Sequence, residues 1–259
     1  MLQKYKFFIR SLNISMRKIK LLIFALMLLI TFPCLSFADE VDDLLNFYVK
    51  KFNPEKALLI ISGKPDKTGL FQDVYMDLKG VMIDKLRLSS LTVRMRGVQF
   101  NEPSEWKNGN VECKDALSVL ANATLFEKDI NKSIEDKTFG KGDGRWHDML
   151  MKITPKALSG SGYYKYGFLD IRIDIDSKLK IVKGKELWLD DPVAKVNKLD
   201  VPDYVTKKAL TKIQPLVNLR KFPLPLTLHK VELKQGSAVL STRTLPKALT
   251  GGIKYTYSK

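Results

Sequence analysis

Apolar positions recur along this chain in three ways. The first is an almost unbroken run from Leu21 to Phe32, LLIFALMLLITF. The second is helical. Val41, Leu44, Leu45, Tyr48, Val49 and Phe52 fall at i, i+3, i+4, i+7, i+8 and i+11, the apolar stripe of an amphipathic helix over 39–52. Acidic residues near its start and Lys50 and Lys51 near its end suit the helix dipole, and Asn53-Pro54 stops it. The third is alternation. After the short apolar run Ala57 to Ser62 and a turn at Gly63-Lys64-Pro65-Asp66, Val74, Met76 and Leu78 alternate with charged and polar neighbours. Leu86 and Leu88 alternate with Lys85 and Arg87, and then Leu91, Val93 and Met95 alternate with Thr92, Arg94 and Arg96. The apolar parity switches across Ser89-Ser90, which predicts a bulge or a turn.

Further along, a short alternation at Val119, Ala121 and Ala123 leads to Thr124-Leu125-Phe126-Glu127. That spacing fits a capping box and predicts a helix through Ile134. Residues 136–148 read as a glycine-rich polar loop. A second strand block begins near Met149, in which Ile171, Ile173 and Ile175 alternate with Arg172, Asp174 and Asp176. Leu179 and Ile181 extend it, and Leu187 and Leu189 mark another strand. Asp203 to Ile213 reads as a helix between Pro202 and Pro215. An apolar strand at Leu224 to Leu228 leads to a hairpin, Val231-Glu232-Leu233 and Ala238-Val239-Leu240, turning at Gln235-Gly236-Ser237. A last strand is predicted at Ile253 to Tyr257. Strands with one apolar and one charged face belong to antiparallel sheets covered on one side. With a few helices beside them, the class is α+β.

The long apolar run is an export signal by its flanks. Met16-Arg17-Lys18-Ile19-Lys20 precedes it, and the small-x-small site Ser36-Phe37-Ala38 follows, the order of a secretory leader. Its 12 residues fall short of the ~20 of a membrane-spanning helix. An uncleaved anchor is the alternative. Pro33 before Cys34 does not suit a lipidation site, and a start at Met16 would leave a leader of ordinary length. Cleavage after Ala38 predicts one mature domain, 39–259, of 221 residues. The leader holds six basic residues and no acidic ones, so its removal takes the net charge from +16 to +10. A basic exported chain suits anionic partners, a membrane surface among them, and export argues against nucleic acid. Cys113 is the one cysteine left. It can form no internal disulfide, and it reads as a small core residue.

Candidate chemistry is sparse. The two histidines are His147, near Asp143 and Asp148 in the predicted loop, and His229, among leucines; both read as structural or solvated. Asp170, Asp174 and Asp176 could suggest a hard-cation site, but their spacing is that of a strand's polar face. Asp190-Asp191-Pro192 reads as a turn. Gly140-x-Gly142-x-Gly144 lacks the strand before it and the helix after it that a phosphate loop needs. No cofactor, metal or catalytic residue is expected. Met76, Met82, Met95, Met149 and Met151 fall in predicted strands, where flexible thioethers suit an adaptable apolar surface as well as ordinary core filling.

Three stretches carry a resemblance. One pairs Ile60-Ile61-Ser62-Gly63 with the alternating block 73–96. Another is Ala121-Asn122-Ala123-Thr124-Leu125 running into Lys128-Asp129-Ile130-Asn131. The third is Ile213-Gln214-Pro215-Leu216-Val217-Asn218-Leu219, then Phe222-Pro223-Leu224-Pro225-Leu226, then Val231-Glu232-Leu233-Lys234-Gln235-Gly236-Ser237. Over most of 40–245 the chain resembles the LmeA-like phospholipid-binding family of bacterial envelopes. The resemblance implies an elongated, curved antiparallel sheet wrapped around a few helices, similar to tubular lipid-binding modules, with phospholipid bound and no known active site.

The expectation is thus an exported envelope protein that holds acyl chains in an apolar groove, for lipid transfer or envelope maintenance. On the first strand block the groove positions are Val74, Met76, Leu78, Leu91, Val93 and Met95. On the second they are Ile171, Ile173 and Ile175. The main alternative is an envelope scaffolding protein with a packed core and no lipid; a hydrolase of envelope material ranks behind both.

Overall fold

The computed structural model describes residues 40–259 apart from residues 84, 85, 143, 212 and 221 and the side chains of residues 203 and 205. The export signal at 1–38, Lys85 and Asp143 therefore lie outside the described residues. Residues Glu40–Lys259 form one compact unit.

The unit is mostly antiparallel β-structure with few helices. Helix α1 (Glu40–Phe52) is followed by β1 (Lys56–Ile61), β2 (Leu70–Ile83), β3 (Leu86–Phe100), the short α2 (Pro103–Trp106) and β4 (Cys113–Phe126). After α3 (Glu127–Ile134) come β5 (Phe139–Lys141), β6 (Gly144–Ile153), β7 (Leu158–Tyr166), β8 (Leu169–Val182), β9 (Glu186–Val196) and β10 (Leu199–Asp200). Helix α4 (Asp203–Leu210), β11 (Val217–Asn218), β12 (Lys230–Lys234), β13 (Ser237–Ser241) and β14 (Ile253–Ser258) complete the chain. The strands form two sheets. One has the order β12-β13-β4-β3-β2-β1-β14, and the other β10-β9-β8-β7-β6-β5 with β11 also paired to β9.

Helix α1 buries the stripe that its period marks out, with Val41, Leu44, Leu45, Tyr48 and Phe52 inside. It lies against β2, β14 and α2. Beside it Phe71, Phe100 and Trp106 pack with ring centres about 6 Å apart. The Trp106 indole N–H donates to Asn101 at 3.1 Å, which gives this buried ring the polar partner it needs.

The parity switch exists and both strands of the ribbon make it together, but without the bulge or turn expected at Ser89-Ser90: β3 runs unbroken from Leu86 to Phe100. Burial moves from Val74, Met76 and Leu78 to Val81 along β2, and from Leu88 to Leu91, Val93 and Met95 along β3. Pairing keeps one register throughout, with Lys79 opposite Ser90 and Val81 opposite Leu88. The backbone turns over at Gly80, whose φ of 65° is open to glycine and strained for other residues. A Cβ there would also meet the Glu55 side chain at 2.5 Å.

Four other sequence expectations are corrected. The capping box does not form: Thr124 lies in β4, paired to Ser90 and Val239, and the Glu127 carboxylate accepts the Ile153 N–H at 2.7 Å instead. The loop at 136–148 is largely the β5–β6 hairpin. Its glycines serve the strands, since a Cβ on Gly140 would meet the Gly144 carbonyl at 2.3 Å. Asp190-Asp191-Pro192 is a bulge inside β9, where Asp191 has φ 46° and the register against β8 slips between Asp176 and Lys178. A bulge tolerates proline because no ladder donor is required there. Leu224 to Leu228 is not a strand, because Pro223 and Pro225 remove donors that a ladder needs. Its leucines still alternate inward, with Leu224, Leu226 and Leu228 buried.

Candidate functional site

The two sheets enclose a cavity of about 540 Å³. From the first sheet its wall takes Leu88 and Leu91 of β3, Ala121, Ala123 and Leu125 of β4, and Leu240 of β13. From the second it takes Met149, Met151 and Ile153 of β6, Leu158 of β7, Leu179 of β8 and Leu187 of β9. Ile130 and Ile134 of α3 close one side, and the segment from Ile213 to Leu228 closes another.

Polar contacts hold these walls apart at a fixed spacing. Asn131 clamps the Met151 backbone, donating to its carbonyl at 2.9 Å and accepting its N–H at 2.7 Å. Gly236 N–H donates to the Ile153 carbonyl at 2.9 Å. Together with Glu127 these bonds satisfy the β6 backbone beyond β5, which would otherwise be a bare edge. Arg87 ties α3 to the first sheet, reaching Asp129 at 2.9 Å and Glu55 at 2.6 Å. Across the cavity, Leu216 N–H donates to the Leu187 carbonyl and Leu228 N–H to that of Gly184. Arg220 meets Glu186 at 2.6 Å. Its hydrogen bond, with a second from Trp188, holds the Glu186 carboxyl below the usual range.

The wall offers a ligand almost nothing but hydrocarbon. Among the described lining residues only Ser133 and Asn218 are polar. The Ser133 hydroxyl already donates to the Asp129 carbonyl at 2.7 Å, and the Asn218 side-chain oxygen accepts the Arg220 N–H. Gln214, between the lining residues Ile213 and Pro215, keeps its side-chain oxygen buried without a partner among the described residues. A smaller void of about 20 Å³ lies against Trp146, Ile175 and Leu189 and shares Met149, Met151, Leu158 and Ile213 with the large one.

The nine groove positions read from the sequence are spread over four environments. Leu91 is in the cavity wall. Ile175 lines the small void. Val74, Met76, Leu78, Val93 and Met95 are buried in the core shared with α1. Ile173 is buried in a second core around Trp146, and Ile171 packs half-buried against that core. Sequence reasoning missed the walls made by α3, Met149, Met151 and the 213–228 segment. A signal existed for the two methionines and for the run Ile213 to Leu228, which is apolar throughout except for a few positions.

The other candidate groups are scattered. His147 lies in β6, with Nδ1 3.0 Å from Asp148 and Nε2 3.0 Å from Asp170. Hydrogen bonds to Asp148 and then Asp170 raise its pKa. Asp174 faces Arg172 at 3.6 Å and Asp176 accepts from the Ser159 hydroxyl. His229 is exposed, its Nδ1 3.0 Å from the Thr227 carbonyl. Among the described residues no group of three or more His, Cys, Asp or Glu is placed to hold a metal ion. Burial, and secondarily Asp115, pushes the Cys113 thiol up to about 11, which keeps it protonated and a poor nucleophile at neutral pH. No helix among the described residues is long and apolar enough to cross a membrane.

Comparison with protein families matches residues 68–243 to the family described as LmeA-like phospholipid-binding. The match takes in every strand that lines the cavity and leaves α1, β1 and β14 outside it. Neither the comparison with curated proteins nor that with solved structures gives a match.

Proposed function

The chain belongs to the LmeA-like phospholipid-binding family, and we propose that it is an exported cell-envelope protein that holds phospholipid acyl chains between its two sheets. The observation that carries this reading is the cavity of about 540 Å³ with its hydrocarbon wall. It falls within the ~300–1,000 Å³ of ligand pockets. An apolar cavity of ~150 Å³ takes the six carbons of benzene, so this one has room for roughly 20 carbons, on the order of one long acyl chain. An apolar void of this size is costly to leave empty, since its lining forfeits dispersion contacts. A chain inside restores those contacts, while the headgroup stays at the surface, where the basic protein suits an anionic lipid.

In this reading residues 1–38 are removed on export, and 39–259 are the mature single domain, two sheets curling around the acyl chain as an open, elongated lipid holder. Binding, with no catalysis, is its task, in service of lipid transfer or envelope maintenance. Leu91, Met149, Met151 and Ile134 touch the chain. Val74, Met76, Leu78, Val93 and Met95 continue the same face beside the wall, in the core under α1.

Native mass spectrometry of protein purified from its host tests the reading. Phospholipid released in about equal molar amount supports it. A ligand-free protein, whose melting temperature also ignores added phospholipid, would favour the scaffolding alternative. Sequencing of the exported N-terminus tests the leader: Asp39 first is the expected result, and an intact 1–38 segment means an anchor.

A further inference from the structure

One end of the second sheet carries apolar side chains that the fold does not use. The β7–β8 hairpin closes through Gly167 and Phe168, between the paired Tyr166 and Leu169. Gly167 has φ 59° and Phe168 is not among the residues with positive φ, the pattern of a II′ turn. Nothing in that geometry asks for an aromatic residue at the second position, and turn tips are ordinarily polar because they stand in water. Phe168 is nevertheless 94% exposed. Two more apolar side chains stand out nearby. Leu199 follows the β9–β10 turn, whose Asn197 and Lys198 both have positive φ, and it is 74% exposed. Tyr204 on α4 is 76% exposed. Lys208 lies four residues on from Tyr204, on the same helix face. Its ammonium sits 5.7 Å from the Tyr166 ring centre, which sets α4 beside the β7–β8 hairpin.

The charge at this end is mainly basic. Lys198, Lys207 and Lys208 are exposed and Lys165 half-exposed. Against them, among the described side chains, stand Asp170, engaged with His147, and Asp200.

We propose that this end docks on an anionic bilayer, with Phe168, Leu199 and Tyr204 entering the interface and the lysines meeting acidic headgroups. The apolar groups protrude from three separate elements, which suits a fluid surface that closes around each tip. Aromatic rings sit well at headgroup level, and an apolar tip set among basic residues combines the two attractions that hold proteins on anionic membranes. The surface goes beyond the lipid-holding reading and stands without it, but the two meet at α4. The Trp146 indole N–H donates to the Ala209 carbonyl at 3.1 Å, and Ile213, just past the helix, lines both voids. Docking through Tyr204 sets the bilayer against the helix that leads directly into the cavity-lining segment beginning at Ile213.

Flotation with vesicles tests this. The protein is used without residues 1–38, since Glu40–Lys259 form a compact unit by themselves and the apolar leader would bind lipid by itself. It is expected to float with vesicles that contain phosphatidylglycerol, less so with phosphatidylcholine alone, and less as salt rises. Phe168→Asp should cut the bound fraction by about tenfold, and the pair Lys207→Glu and Lys208→Glu should do likewise. Exposure of these positions means that melting temperature and co-purified lipid should stay unchanged. Equal flotation of parent and variants, or none with acidic vesicles, overturns the proposal. Phe168-dependent dimerisation without flotation gives the patch to a second copy and overturns it too. An empty cavity with Phe168-dependent flotation would remove the lipid-holding reading and leave docking in place; retained lipid without flotation would do the reverse.

Discussion

The β3 strand passes through two different interiors. Around Val93 and Met95 the sheet is roofed by α1, and both side chains are fully buried among Leu44, Tyr48 and Phe52. Around Leu88 and Leu91 the facing partner is the second sheet, held off by α3 and the 213–228 segment, and a void remains. The residues on the two stretches have the same chemistry. What differs is whether a helix supplies matching side chains. The helix-covered region is a solid core, and its share of the fold includes α1, β1 and β14, which lie outside the family match; the open region lies inside it. An apolar strand face is equally suited to a core or to a ligand, and its cover decides between them.

Charge is the sharpest probe of that contrast. Met95→Asp places a carboxylate in the solid core with no partner, at a desolvation cost the fold does not survive; loss of the cooperative thermal transition is the expected result. Met151→Asp puts the same group in the cavity wall. There the expected outcome is a protein with its circular dichroism intact that has lost co-purifying lipid. If both variants unfold, the cavity is as intolerant as the core and the distinction between the two interiors fails.

Truncation should separate the regions by a smaller margin. Met95→Ala should cost about 2–5 kcal/mol, the range for emptying a packed site. Met151→Ala should cost about 1 kcal/mol, because its side chain already borders a void and loses fewer contacts. Urea unfolding of the lipid-free proteins measures both, and equal costs would erase the difference.

Filling the void should act in the opposite direction. Ala123→Leu points added methyl groups into the cavity and should stabilise the lipid-free protein by about 0.5–2 kcal/mol, while lowering the amount of lipid retained. Stabilisation with full lipid retention would mean that the chain sits elsewhere.

The smallest effect concerns the outer face of the second sheet, where no acyl chain is expected. Hydrogen bonds to Asp148 and Asp170 raise the pKa of His147, so the folded state favours its protonated form. That contribution is fully present below the ordinary histidine pKa of ~6.5 and is lost as pH rises through the higher folded-state value. The melting-temperature difference between parent and His147→Ala should therefore be larger at acidic pH and shrink toward alkaline pH. The pair is solvent-exposed, so the effect is slight. Lipid retention should be unchanged by His147→Ala and by His229→Ala; loss of it from a folded variant would bring these residues into the function.

Local pattern was enough to locate α1 to within a residue, the β2–β3 ribbon with its parity switch, the Ile171 to Ile175 face, the β12–β13 hairpin and the last strand. Each of those signals is written in neighbours a few residues apart, where the side-chain period alone decides which face is apolar. The errors came where a polar residue served a distant partner. Glu127, spaced to cap its own helix, instead holds Ile153, and Asn131 holds Met151. The glycines of 136–148 fold into a hairpin, since a Gly-rich polar stretch looks alike as loop or turn. At Leu224 to Leu228 the alternation was legible and the burial followed it, but prolines deny the ladder.

Which residues shun water, and which family the chain resembles, are written in the order of its amino acids. Tertiary structure decided where the apolar faces meet one another and where they leave a space. The reason is physical: hydrophobicity is non-directional, so Met95 and Met151 carry equal signals in the chain. Whether a helix or a void stands opposite depends on segments far away in sequence, α1 for the one and α3 with residues 213–228 for the other.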